Sequence, residues 1–140
     1  MYQLTKYDTI TRLSDGASIP KDPGNSDYQV YLAWVAQGNK PLTPPAPAVE
    51  EITASIVNAV QDRLDSFART RNYDCILSAA TYATSTIPKF ATEGQYAVDV
   101  RDATWATLYS ILEEVQAGER VPPMSYEDIK EDLPILVWPN

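Results

Sequence analysis

The chain has no histidine and a single cysteine among its 140 residues. The first absence removes the commonest general base and the commonest metal ligand. The second excludes an internal disulfide and any cysteine-rich zinc site. Cys75 lies in DCILSAATYA, and among those small and apolar neighbours it reads as a small buried hydrophobe. The five glycines are scattered and form no phosphate-cradling loop. No run reaches the roughly 18 apolar residues of a membrane span, and the opening MYQLTKYDTITRL lacks an apolar stretch of signal-peptide length. Basic residues are few, 11 against 19 acidic ones, for a formal net charge of −8. A nucleic-acid module needs a basic face that neutralises phosphates. Neither nucleic acid nor an anionic membrane surface is therefore an expected partner.

What is present suits one packed domain. Hydrophobic residues make up 44% of the chain and charged residues 21%, a balance that disfavours wholesale disorder. The charge is unevenly spread. Residues 1–48 hold four basic and four acidic side chains, whereas residues 49–140 hold seven and fifteen and carry the whole net charge.

Residues 2–19 read as extended segments, with Asp15-Gly16 as a hairpin signal between TITRL and ASIP. A two-stranded ribbon is expected, too weak to stand alone. Ser26 is predicted to cap a short helix, DYQVYLAWVAQ, with Gln29 in the capping-box position and Gly38 as its end. Tyr28, Tyr31, Leu32, Val35 and Ala36 share one face, with Trp34 beside them. Residues 39–48, NKPLTPPAPA, read as an extended proline-rich linker. The expected organisation is an N-terminal arm (1–38), a linker (39–48) and a helical domain (49–140).

From Val49 the period becomes helical. Ile52, Ile56, Val60, Leu64 and Phe67 mark the core stripe of a long helix that Asn72 breaks. Asp74 is predicted to cap a short second helix to about Ala83, with Ile76, Leu77 and Ala80 inward. TSTIPKFATEG reads as a connector. A third helix is predicted from about Gln95 to Ala117, with Tyr96, Val100, Ala103, Leu108, Ile111, Leu112 and Val115 on an apolar face that also takes in Trp105. Ser125 starts a helical turn, and the tail LPILVWP is an extended segment to be buried. The fold class is thus mainly α: a small bundle of about three helices, an N-terminal arm of ribbon plus helix, and an extended C-terminal tail.

Chemistry is sparse. Asp62 with Asp65, and Asp99 with Asp102, are spaced to share helix faces as paired carboxylates. Arg63, Arg69 and Arg101 interleave with them, so solvated faces with weak ion pairs are the stronger reading. The acidic run from Glu113 to Asp132 lacks calcium-loop spacing and reads as an acidic surface that could steer a basic partner. No cofactor, metal or catalytic residue is expected. Two rivals stand beside a binding protein: a small carboxylate-based enzyme, and an acidic inhibitor that mimics nucleic acid. Aromatics are the more informative feature, because Tyr28, Tyr31 and Trp34 crowd one short helix. They are candidate partner-binding anchors, with docking of that helix on the C-terminal bundle as the structural alternative.

The segment TRLSDGASIPKDPGNSDYQVYLAWVAQGNKPLTPPAP carries a set of phrases: Ile19-Pro20, Asp22-Pro23, Asn25 to Tyr28, Leu32 to Trp34, and Gly38-Asn39. The second half adds Arg71 to Asp74, the small-residue stretch 80–85, Pro88 to Phe90, Glu93 to Gln95, Arg101 to Trp105, and Leu133-Pro134 to Trp138-Pro139. In these phrases, over roughly residues 10–139, the chain resembles proteins associated with the tail and tail fibres of tailed bacteriophages. The resemblance implies a non-enzymatic structural or interaction protein of the tail or fibre region, made in the host cytoplasm and carried in the virion. Its partners would be other tail or fibre proteins, in an oligomer or larger assembly; the composition break at the proline-rich linker makes the N-terminal arm the expected docking element. The alternative it implies is a fibre-assembly chaperone absent from the mature particle.

Overall fold

The computed structural model describes residues 1–140. They form four helices and one small antiparallel sheet, divided into two compact units, Met1–Pro47 and Ala48–Asn140.

The N-terminal unit contains three strands rather than the expected two: β1 (Tyr2–Leu4), β2 (Thr9–Arg12) and β3 (Ala17–Pro20), paired in that order. Gly16, at φ +73, completes the turn that begins beyond Arg12, a conformation glycine adopts without a Cβ penalty. Tyr2 lies opposite Arg12, and Leu4 and Ile19 both flank Ile10. Pleat alternation therefore puts Tyr2, Leu4, Ile10, Arg12 and Ile19 on one face.

Helix α1 (Ser26–Ala36) packs on that face and closes a core of Tyr2, Ile10, Ile19 and Tyr31. Its cap is Asn25, not Ser26: the Asn25 side chain accepts from the Tyr28 N–H at 3.1 Å. Gln29 does not close a capping box but reaches back to the Pro23 carbonyl. Leu32 and Ala36, expected inward, are exposed, because the contact face runs through Tyr28, Tyr31, Trp34 and Val35. The proline-rich stretch is not all linker. Leu42 exchanges backbone hydrogen bonds with Tyr2 and Leu4, both 2.9 Å, which adds a bridge at the free edge of β1.

In the C-terminal unit, α2 (Val49–Arg69) ends where Asn72 takes φ +64. Then come α3 (Ile76–Ala80) and a 3-10 turn at Thr81–Thr84. Cys75, not Asp74, caps α3, its Sγ accepting from the Ser78 N–H. The thiol is half-buried, not a core hydrophobe. Asp65 contributes as well: its Oδ1 accepts the otherwise free Ile76 N–H at 2.9 Å. Ala79 is buried in place of Leu77, which is exposed.

The expected connector is largely helix. Pro88 opens α4 (Pro88–Gln116) at its first turn, where a missing N–H costs nothing. Gly118, at φ +74, ends it. Ala103 and Leu112, expected inward, are exposed; Ala97, Val100, Thr104 and Ile111 are buried.

Leu64 and Ala68 cluster with Ala97 and Val100, and Ile56 and Val60 with Ile111. Rising numbers on α2 meet falling numbers on α4, so the two helices run antiparallel. The tail supplies a third wall. Ile129 and Leu133 are buried beside Ile56 and Val60. Trp138 stacks on Phe67 at 4.4 Å between ring centroids and donates its indole N–H to Thr70 Oγ1. Arg63 holds the Pro134 carbonyl at 2.6 Å.

Candidate functional site

Three places were candidates: the aromatic helix α1, the carboxylates of the long helices, and any apolar surface left uncovered.

The rings proposed as anchors are largely spent inside the N-terminal unit. Tyr31 is buried and meets Tyr2 edge-on at 5.2 Å. Trp34 meets the same Tyr2 ring at 5.1 Å, and Tyr28 stacks on Tyr31 at 5.9 Å. Tyr28 and Trp34 are half-buried against this core. These four rings pack with Ile10 and Ile19 in the core of the unit, and aromatic side chains bury large apolar areas. Arg12 reinforces the joint. It holds Asp15 in a fork and Asp27 of α1 at 2.7 Å. The hydrogen bonds from Arg12 lower the Asp15 pKa, and both partners raise that of Arg12. Replacing Tyr31 by alanine should cost about 3–4 kcal/mol, more than a unit of this size can lose. In NMR spectra of the full chain, the amide signals of residues 1–47 should collapse toward random-coil positions.

The helix carboxylates do not converge. Asp62, Asp99 and Asp102 are exposed, and Asp65 is occupied by Ile76 and Gln61. Two of the three interleaved arginines go elsewhere: Arg63 to the Pro134 carbonyl and Arg69 to the Asp74 carbonyl.

Sequence reasoning missed Glu93. It is 4% exposed and lies one turn into α4. Arg71 donates to its Oε1 at 2.6 Å and Tyr73 to its Oε2 at 2.7 Å. Burial, then the Glu93 carboxylate, push the Tyr73 phenol up to about 12. Both carboxylate oxygens are engaged, so the cluster ties the α2–α3 corner to α4. The only signal was the presence of Arg71, Tyr73 and Glu93 in distinctive phrases; nothing in their spacing joined them.

The C-terminal unit carries an apolar groove of about 480 Å³. It runs between the first two turns of α2 and the last three of α4, with the segment 122–129 along one side. Ile52 and Val57 line one wall, Leu108, Tyr109 and Leu112 the other, and Met124 the loop edge. Val57, Tyr109, Leu112 and Met124 are 40%, 68%, 49% and 62% exposed. No carboxylate or basic side chain lines it. The outward placement of Leu112, which departs from expectation, helps to build it. A second, shallower concavity beside Tyr96 contains one carboxylate, Asp99. Neither brings two carboxylates together as a glycoside-cleaving pair would require. The groove can desolvate apolar side chains.

No protein-family model, curated protein or solved structure matches the chain.

Proposed function

We propose that this chain is a non-enzymatic interaction protein of the bacteriophage tail or tail-fibre region, and that it holds another tail or fibre protein in its α2/α4 groove. The observation that carries the reading is the groove itself, an apolar surface with no acid, base or charged ligand in its lining. Apolar patches of this kind on small domains mark contact sites. The phage context comes from the sequence resemblance. The seat of binding moves from the α1 aromatics to α2 and α4, because Tyr31 is enclosed.

The test is photo-crosslinking in infected cells, with Tyr109 replaced by a photoreactive phenylalanine analogue. The ring is 68% exposed on the groove wall, so the change should not disturb folding. The expected product joins this chain to a tail or fibre polypeptide, identified by mass spectrometry. Absence of any phage product would reject the reading. Quantifying the chain in purified particles then separates its two forms. A fixed ratio to the major tail proteins means a virion part, and abundance in the lysate alone means an assembly chaperone.

A further inference from the structure

Resting on that reading, we propose that the occupant of the groove is an amphipathic helix of the partner protein, with lysine or arginine flanking its apolar face. Two sides of the groove are the helices α2 and α4, and the third opens with Pro122 and Pro123, which have no N–H, so no strand edge is offered for an extended peptide to join. Contact must come from side chains. The lined stretch of α4, Trp105 to Val115, rises about 15 Å, which matches about three turns of a docked helix.

The charge around the groove chooses the partner. The lined stretches, residues 49–57 of α2 and 105–115 of α4, contain four acidic side chains, Glu50, Glu51, Glu113 and Glu114, and no basic one. Glu50 follows Val49 one turn before Thr53, and Glu113 lies one turn after Tyr109; both acids are exposed. Helix spacing therefore puts a carboxylate on each outer edge. Arg120 pairs with Glu114 and Asp132, which offsets Glu114 and leaves Glu50 and Glu113 as the acids of the two edges. A second copy of this chain would bring the same acidic edges against these and be repelled. An anionic bilayer would be repelled likewise. A basic-flanked helix meets an apolar floor between two acidic rims, and long-range attraction would speed its encounter.

The test uses the full chain and two synthetic peptides of 18 residues. Both carry the same Leu/Phe/Ile face at i, i+3, i+4 and i+7; one has lysines flanking it and the other glutamates. Calorimetric titration at low salt should show the lysine peptide binding at least tenfold more tightly, with an affinity that falls as salt is raised. NMR shifts should cluster in residues 49–57 and 105–129. Leu112→Lys, at an exposed position, should abolish binding while leaving the melting temperature unchanged. Glu50→Lys with Glu113→Lys should reverse the peptide preference. Equal affinity for the two peptides, binding of neither, or a dimer that Leu112→Lys disperses would each overturn the proposal. The crosslink at position 109 is independent of the peptides. A phage partner captured through a segment that is not a basic amphipathic helix would sink this inference while leaving the docking role standing.

Discussion

Replacing Gly94 with alanine should unfold the C-terminal unit at a temperature at least about 12 °C lower than the parent. Local propensity argues the other way, since glycine inside a helix is about 1 kcal/mol worse than alanine. Packing decides. A Cβ on Gly94 would come under 3.0 Å from the Ala83 nitrogen, the Tyr82 carbonyl carbon and the Ala83 Cα. All three are backbone atoms, so no side chain can swing aside. Either α4 or the 3-10 turn at Thr81–Thr84 must move, and each is tied down on its far side. Ile76 and Ala79 are buried beneath α4, and Glu93, the preceding residue, is locked to Arg71 and Tyr73. The cost is about 3 kcal/mol or more, the upper range for overpacking.

Gly118→Ala is the control. That glycine has φ +74 and open space around its missing Cβ, so its substitution carries only the left-handed penalty of about 1–2 kcal/mol. Thermal melts of the two variants, followed by circular dichroism, compare them directly. If Gly94→Ala melts no lower than Gly118→Ala, the close approach of α4 to the turn is wrong.

Gly94 also shows where sequence reasoning stops. Local rules located α2, because a stripe repeating from Ile52 to Phe67 has one helical interpretation. They placed the starts of α1 and α3 one residue out or on the wrong side chain, since Asn25, Ser26, Asp74 and Cys75 all lie at plausible cap positions. They took Pro88 for a break when it begins a helix, and so read Glu93 and Gly94 as connector. Those two residues then lost the context that gives them meaning. The Glu93 network joins residues about twenty positions apart, and Gly94 is needed only because a turn ten residues earlier folds back onto it. Neither relation has a period or a motif. The candidate site was harder still. Leu108 and Leu112 were legible as part of an apolar face and Tyr109 was not, and whether the chain covers that face depends on the path of residues 119–138. The α1 rings illustrate the converse. An aromatic cluster marks an interface in sequence, but here the interface is with β1, whose Tyr2 lies between Tyr31 and Trp34.

Removing the Glu93 carboxylate should be nearly as damaging as filling Gly94. Glu93→Ala leaves the Arg71 guanidinium and the Tyr73 hydroxyl without their shared acceptor. Breaking a buried pair from one side costs about 3–5 kcal/mol. Arg71 retains 36% of its side-chain exposure and can recover some hydration, so the lower end, about 3 kcal/mol, is expected. Glu93→Gln should cost less, because the amide oxygen can still accept from one donor. The companion result is a pH dependence. The Tyr73 phenol titrates near 10.0 when unfolded and near 12 when folded. Its raised pKa means the folded state resists ionisation that the unfolded state undergoes freely. The stabilising contribution is whole below pH 10 and is lost as pH climbs from 10 through 12. Tyr73→Phe should remove that part of the alkaline loss while lowering stability at neutral pH. The Tyr31 pKa is also raised, chiefly by burial, so the titration must be followed by NMR signals from residues 48–140. Urea denaturation of the parent and Tyr73→Phe at pH 8, 10 and 11.5 supplies the comparison. Parallel losses in the two proteins would show that folding does not raise the Tyr73 pKa, so that neither burial nor Glu93 holds its proton.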